Sequence, residues 1–306
     1  MVSLTRPEGS EPVDFAHTRR GLAGLFFAGY ALAAVSAEAQ PIVTDGEGLK
    51  LESVAVPSRA GGALPLYVAR PDGGGRHPAV IVVSEVFGVH EYIRDVCRRL
   101  AKLGYVAVAP AFFFRAGDPA GMEDFAEVRK IVETAHHEQT MGDIEATLAW
   151  LNAQDFVDRK RIAITGFCWG GAVVWMAAAR FPAIRAGVAW YGRLSKPKAD
   201  AFLGKQERPW PLDVVRQLRA PVLGLYAGDD PGIPQTDVDQ MTQAMASAGK
   251  KGEIVVFPGA KHGFHADYRP QYDAKAAQDG WTRMLAFFAA NGVAPGRRRS
   301  AFDNRR

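Results

Sequence analysis

One stretch constrains this chain more than any other: Ile162-Ala163-Ile164-Thr165-Gly166-Phe167-Cys168-Trp169-Gly170-Gly171. A short apolar run rich in β-branched residues reads as a strand. It enters a glycine, then a cysteine, then two more glycines, and an alanine-rich helical pattern continues over residues 172–180. Strand, very tight turn and helix in this order put a nucleophile at the apex of the turn. The glycines are required because the apex residue is strained, and side chains two positions before and after it collide with the adjoining strand and helix. The N–H of Trp169 opens the helix and can face a developing oxyanion. The same helix N-terminus favours a thiolate over a thiol. Alone, Gly-x-Cys-x-Gly also describes a glycine-rich turn around a buried cysteine, and the partners downstream decide between the two.

The rest of the chain fits such a turn into a sheet. Residues 78–83, 105–109, 186–191 and 221–227 are apolar runs of the kind buried on both faces, and 253–257 is a further strand. Helical patterns occupy about 90–103, 123–136, 140–153, 235–247 and 272–290. Residues 49–56 and 64–69 alternate as an antiparallel entry pair around a turn at 58–62. Strands alternating with helices predict an α/β fold, a doubly wound, mostly parallel sheet with helices on both faces. One domain is expected over residues 40–293, and a chain of 306 residues that is 48% hydrophobic can bury one large core. The loop 195–211 is expected to be a surface excursion near the site.

The two ends read differently. Arg19 and Arg20 precede an uncharged apolar run over 22–37, and small residues follow. This is the pattern of a twin-arginine-like signal peptide over residues 1–39, with cleavage near Ala37 or Ala39 and export to the periplasm. The alternative is an N-terminal membrane anchor, although the run is short of the roughly 20 residues a span needs, so no stable membrane span is expected. Twin-arginine export moves folded proteins, which suits an enzyme that keeps a free thiol. Residues 294–306 form a basic, solvated tail. Without interleaved aromatic residues it implies no nucleic-acid partner. The only cysteines, Cys97 and Cys168, make no disulfide framework, and no Cys/His spacing matches a zinc site. Cys97 lies in a helical pattern as a small buried hydrophobe. No metal or organic cofactor and no obligate partner is expected, and the chain is taken as a monomer.

Two later strand ends carry the chemistry the cysteine needs. The strand 221–227 runs into Gly228-Asp229-Asp230-Pro231, and the strand 253–257 is followed by Lys261-His262-Gly263-Phe264. Nucleophile, acid and histidine thus follow one another, each in a loop at the carboxyl edge of the sheet. In this reading Cys168 attacks an acyl carbon, His262 moves the proton, and Asp230 orients and balances the imidazole. Asp229 is the alternative acid and His265 the alternative base. A fourth element, Ser84-Glu85-Val86-Phe87-Gly88, sets a carboxylate directly after a buried strand. A charge there is costly unless paired, and Arg115, at the end of the next strand, is its expected partner.

With these five pieces in order, the chain resembles the dienelactone hydrolase family of α/β-hydrolases over residues 49–290. The pieces are Ser84 to Gly88, Arg115-Ala116-Gly117-Asp118, Gly166 to Gly171, Asp230-Pro231-Gly232-Ile233-Pro234, and His262-Gly263-Phe264. The resemblance implies a triad of Cys168, His262 and Asp230. It implies that Glu85 pairs with the resting thiol and is redirected by substrate to help form the thiolate. It further implies that Arg115 engages Glu85 and the substrate carboxylate, and that the N–H groups of Val86 and Trp169 form the oxyanion hole. A second substrate-binding arginine of the family corresponds to Ala266 here; Arg269 lies three residues on. That departure and the export signal point away from dienelactone itself as the substrate.

The function expected is hydrolysis of a small carboxylic ester or lactone, anionic or lactone-like, through an acyl-thiol intermediate. The alternatives are cleavage of another acyl or carbon–halogen bond (thioester, peptide, haloacid) and a non-catalytic periplasmic binding protein on the same scaffold.

Overall fold

The computed structural model describes residues 41–295. The signal segment and the basic residues 296–306 lie outside the described residues. Residues 294–295, assigned to the tail from sequence, belong to the body: the Ala294 carbonyl accepts a hydrogen bond from Arg161 at 2.8 Å.

Eight strands form one sheet: β1 (Leu49–Pro57), β2 (Ala63–Pro71), β3 (His77–Val83), β4 (Val106–Pro110), β5 (Val157–Phe167), β6 (Ile184–Trp190), β7 (Val222–Ala227) and β8 (Gly252–Phe257). Their spatial order is β1-β2-β4-β3-β5-β6-β7-β8. β1 and β2 are antiparallel, as the alternating entry pair predicts, β2 runs antiparallel to β4, and every later pairing is parallel. β4 and β7 are buried along their whole lengths, the condition that selects continuous apolar runs.

The longer helices are α1 (Glu91–Lys102), α2 (Phe125–Val132), α3 (His137–Ala153), α4 (Trp169–Arg180), α6 (Gln235–Ser247) and α7 (Ala274–Ala290), with a short α5 at Pro211–Val214. α2 is shorter than its apolar pattern. Asp124 caps its start by accepting from the Ala126 N–H at 2.8 Å, and beyond its end the Thr134 hydroxyl bonds back to the Ile131 carbonyl at 2.6 Å. Helices cover both faces. Neighbouring residues of a strand point to opposite sides, and in β7 a Cβ at Gly224 would meet Trp175 of α4. The next residue, Leu225, lies against Gly280 of α7.

Parallel register brings the strand ends to one line. Val83 pairs with Gly166, Phe167 with Trp190, Trp190 with Leu225, and Ala227 with Phe257. The loops after β3, β5, β6, β7 and β8 therefore emerge side by side at the carboxyl edge.

Candidate active site

Cys168 sits at the apex between β5 and α4 with φ 54° and ψ −114°, a conformation that costs a non-glycine residue energy. Its N–H donates to the Trp190 carbonyl at 3.0 Å, which ties the apex to β6. The flanking glycines are required by close approach of backbone. A Cβ on Gly166 would lie 2.4 Å from the Gly170 carbonyl oxygen, and one on Gly170 would lie 2.4 Å from that of Val83.

The histidine and acid expected from the sequence meet at this apex. His262 Nδ1 donates to Asp230 Oδ2 at 2.6 Å, and both side chains are buried. The other Asp230 oxygen accepts the Gly232 N–H at 2.9 Å, so the carboxylate is fixed at both ends. Cys168 lines the same cavity as His262, and the ring feels its sulfur there. Burial opposes a charge on this ring, but Asp230 and the Cys168 thiolate outweigh it and push its pKa up to about 10. Of the alternatives, Asp229 is exposed. His265 is enclosed, with Nδ1 2.6 Å from the Tyr92 hydroxyl and its ring stacked on Phe167 and Trp281. Burial, with Arg99 nearby, pushes its pKa well down, so it stays neutral.

Val86 and Trp169 line the same cavity as Cys168 and His262. Among the described residues neither backbone N–H has a hydrogen-bond acceptor, which leaves both donors for a ligand. The Trp169 ring packs on Phe112 and Phe113, at centroid distances of 5.6 and 4.9 Å, and this holds the start of α4 in place.

Glu85 and Arg115 do not pair, contrary to the expectation from sequence. The Arg115 guanidinium makes two hydrogen bonds of 2.8 Å to the buried Asp143 carboxylate and one of 2.8 Å to the Gly61 carbonyl. Asp143 also accepts from the Ser58 hydroxyl at 2.6 Å. Arg115 thus clips the β1–β2 turn to α3. A carboxylate on the buried face of α3 thus takes the guanidinium that the sequence paired with Glu85. Glu85 is 1% exposed and takes His90 instead, with Nε2 2.9 Å from Oε2, while the Tyr268 hydroxyl reaches its oxygens at 3.4 and 3.3 Å. Arg269 is buried behind the site. Burial works against its charge, but the acidic groups around it, Glu85 among them, raise its pKa above the ordinary arginine value.

Two residues that the sequence reading missed line the cavity over Cys168: Arg193 and Arg208. Among the described residues neither has a carboxylate within ion-pair distance. Arg208 lies over the Trp210 ring, 4.2 Å from its centroid, with a buried Nε that has no acceptor. Desolvation without a counterion lowers its pKa to about 10. Arg193 was open to detection, because it follows directly on β6 at the carboxyl edge. Arg208 was not, since the loop that carries it has no periodicity. That loop is more than a surface excursion: Phe202 and Leu203 form a wall of the cavity. Among the described residues no group of three or more His, Cys, Asp or Glu is placed to hold a metal, and no helix is long and apolar enough to cross a membrane.

A cysteine on a strained strand–helix turn, an Asp–His pair from later strand ends and a mostly parallel sheet together define an α/β-hydrolase. The chain belongs to the dienelactone hydrolase family, whose model matches residues 64–292. A protein of Methylorubrum extorquens named "Putative carboxymethylenebutenolidase" is 47% identical over 268 residues, 87% of this chain and 90% of that one. A protein of the same name from Escherichia coli K12 is 43% identical, covering 86% and 96%. The crystal structure of a "Putative Dienelactone Hydrolase" from Klebsiella pneumoniae superposes with a TM-score of 0.73 at 45% identity, over 79% of this chain and 98% of that one. The chain is a hydrolase of this family.

Proposed function

We propose that the protein hydrolyses a small ester or lactone carrying a carboxylate, through an acyl-thiol intermediate on Cys168. What carries this reading is His262, held 2.6 Å from Asp230 and facing the cavity that Cys168 also lines. The thiolate attacks the carbonyl carbon, and the N–H groups of Val86 and Trp169 take the charge that develops on oxygen. Collapse breaks the C–O bond, and His262 gives its proton to the leaving oxygen. In a lactone that oxygen stays on the acyl chain. The neutral imidazole then takes a proton from water, whose oxygen attacks the thioester. The carboxylic acid departs and the thiolate–imidazolium pair returns. Glu85 acts beside the thiol rather than on the substrate.

Arg208 and Arg193 support the anionic part of the reading. Two guanidinium groups without carboxylates among the described residues, in a cavity that no described acidic residue lines, favour a ligand that brings its own charge. The Methylorubrum and E. coli relatives are named for an enzyme acting on a lactone with a carboxyl group, in keeping with this chemistry. Export by the N-terminal segment belongs to the same proposal, and cell fractionation with an inactive Arg19→Lys/Arg20→Lys variant tests it.

The deciding experiment compares wild type and Cys168→Ala on matched small esters and lactones with and without a carboxylate, and looks for a covalent acyl adduct by intact-mass spectrometry. Loss of hydrolysis and of the adduct together supports the mechanism. Full activity in Cys168→Ala ends it.

A further inference from the structure

A second cavity lies beside the loop after β3, away from the nucleophile. Its volume is about 300 Å³, at the small end of the range for ligand pockets. It shares no lining residue with the cavity over Cys168. Leu66 of β2 and Ala109 of β4, both buried, line it together with the rings of Tyr67, Phe113 and Phe114. Gly88, with φ 69°, turns the chain at its edge. Phe113 is also the ring that packs on Trp169 at 4.9 Å, so the cavity backs onto the support of the α4 N-terminus.

One cation reaches into this apolar space. Arg94 of α1 lines the cavity, half-buried, and its Nε is buried without an acceptor. Its guanidinium lies 5.9 Å from the centroid of the Tyr67 ring. The other basic residues of α1 all have acids. Arg98 takes Glu91 and Asp95, Arg99 takes Asp95 and Asp267, and Lys102 takes Asp45. Glu91 and Asp95, the acids nearest Arg94 in sequence, are therefore committed elsewhere. Asp118 also lines the cavity, but it is exposed and its Oδ1 accepts the Ala120 N–H at 3.0 Å. Among the described residues no carboxylate lies within ion-pair distance of Arg94.

A buried N–H without an acceptor is costly, and an anion placed against it removes that cost. A guanidinium fork matches a carboxylate in shape and charge. The apolar walls ask for an apolar body behind that group, and a single cation matches a single charge. We propose that this cavity is a second ligand site, which takes a small aromatic or aliphatic monocarboxylate with its carboxylate on Arg94 and its body against Tyr67 and Phe113. The site does not depend on the chemistry at Cys168.

The test is isothermal titration calorimetry of the full chain with 2-naphthoate and with its uncharged counterpart, 2-naphthamide. The acid binds, and the amide binds at least about tenfold more weakly. Arg94→Met keeps the apolar stem and removes the charge. It lowers affinity for the acid about 10- to 100-fold and leaves the amide unaffected. Arg208→Ala, in the other cavity, keeps the site that Arg94→Met loses. Ser53→Trp, at an exposed position of the lining, obstructs the cavity without touching the charge, and is read in the same way if Arg94→Met does not fold. Absence of acid binding, equal affinity for acid and amide, or binding that survives in both Arg94→Met and Ser53→Trp overturns the proposal. Failure of the hydrolytic mechanism is separate: it appears as hydrolysis surviving in Cys168→Ala, whatever the Arg94 variants do.

Discussion

Arg115 gives both of its terminal nitrogens to Asp143, at 2.8 Å each, and through Gly61 this pair binds the β1–β2 turn to α3. Asp143 is 0% exposed, so removing the arginine strands a buried carboxylate. Breaking such a pair costs about 3–5 kcal/mol. Arg115→Ala should therefore lower the denaturant midpoint sharply while the folded fraction keeps its preference for carboxylate-bearing esters over neutral ones. A lost preference with an unchanged midpoint would return Arg115 to the substrate site.

Much of this architecture was legible in the sequence because it rests on short-range constraints. The turn around Cys168 needs glycines at fixed offsets, and buried parallel strands need continuous apolar runs. Register then carries Asp230 and His262 to the same edge as Cys168. The partner of Arg115 was harder to find, because charge alone does not say which carboxylate lies within reach. A clue existed in Asp143, which sits between Thr140 and Thr147 on the face of α3 that also buries Ile144 and Leu151. A charge on an apolar face demands a cation, and Arg115 is that cation for Asp143. His90 and Arg208 could not be placed this way. One depends on the turn at Gly88 and the other on a loop without periodicity, so their neighbours are set by tertiary packing alone.

Arg208 carries the clearest test of substrate charge. Its guanidinium is half-buried over Trp210 and has no carboxylate within ion-pair distance among the described residues. A hydrogen bond to a charged group contributes about 1.5–3 kcal/mol. Arg208→Ala should thus reduce kcat/KM for a carboxylate-bearing lactone by about 10- to 100-fold and leave a neutral ester of the same size nearly unaffected. Equal losses on both substrates would mean that Arg208 shapes the cavity instead of binding charge.

The elbow tolerates no side chain two positions before or after the nucleophile. At Gly166 the obstruction is the backbone of Gly170, which cannot swing away as a side-chain tip could. Gly166→Ala is expected to destabilise the protein by about 3 kcal/mol or more and to disturb the N–H of Trp169. A denaturation midpoint within error of wild type would contradict the close approach.

The pH response follows from His262. Its folded-state pKa is raised from the ordinary 6.5 to about 10, so the folded protein holds a proton there that the unfolded chain releases. The stabilisation this provides is complete below the unfolded value and disappears as pH rises through about 10. The same proton is the one His262 gives to the leaving oxygen, so kcat/KM should fall over that upper range together with stability. In Cys168→Ser the thiolate is absent, and burial is then opposed chiefly by Asp230. The ring should titrate lower, and the alkaline loss of stability should move down with it. NMR titration of the His262 ring in wild type and Cys168→Ser measures the shift directly. If the two midpoints coincide, the sulfur carries no negative charge in the resting enzyme.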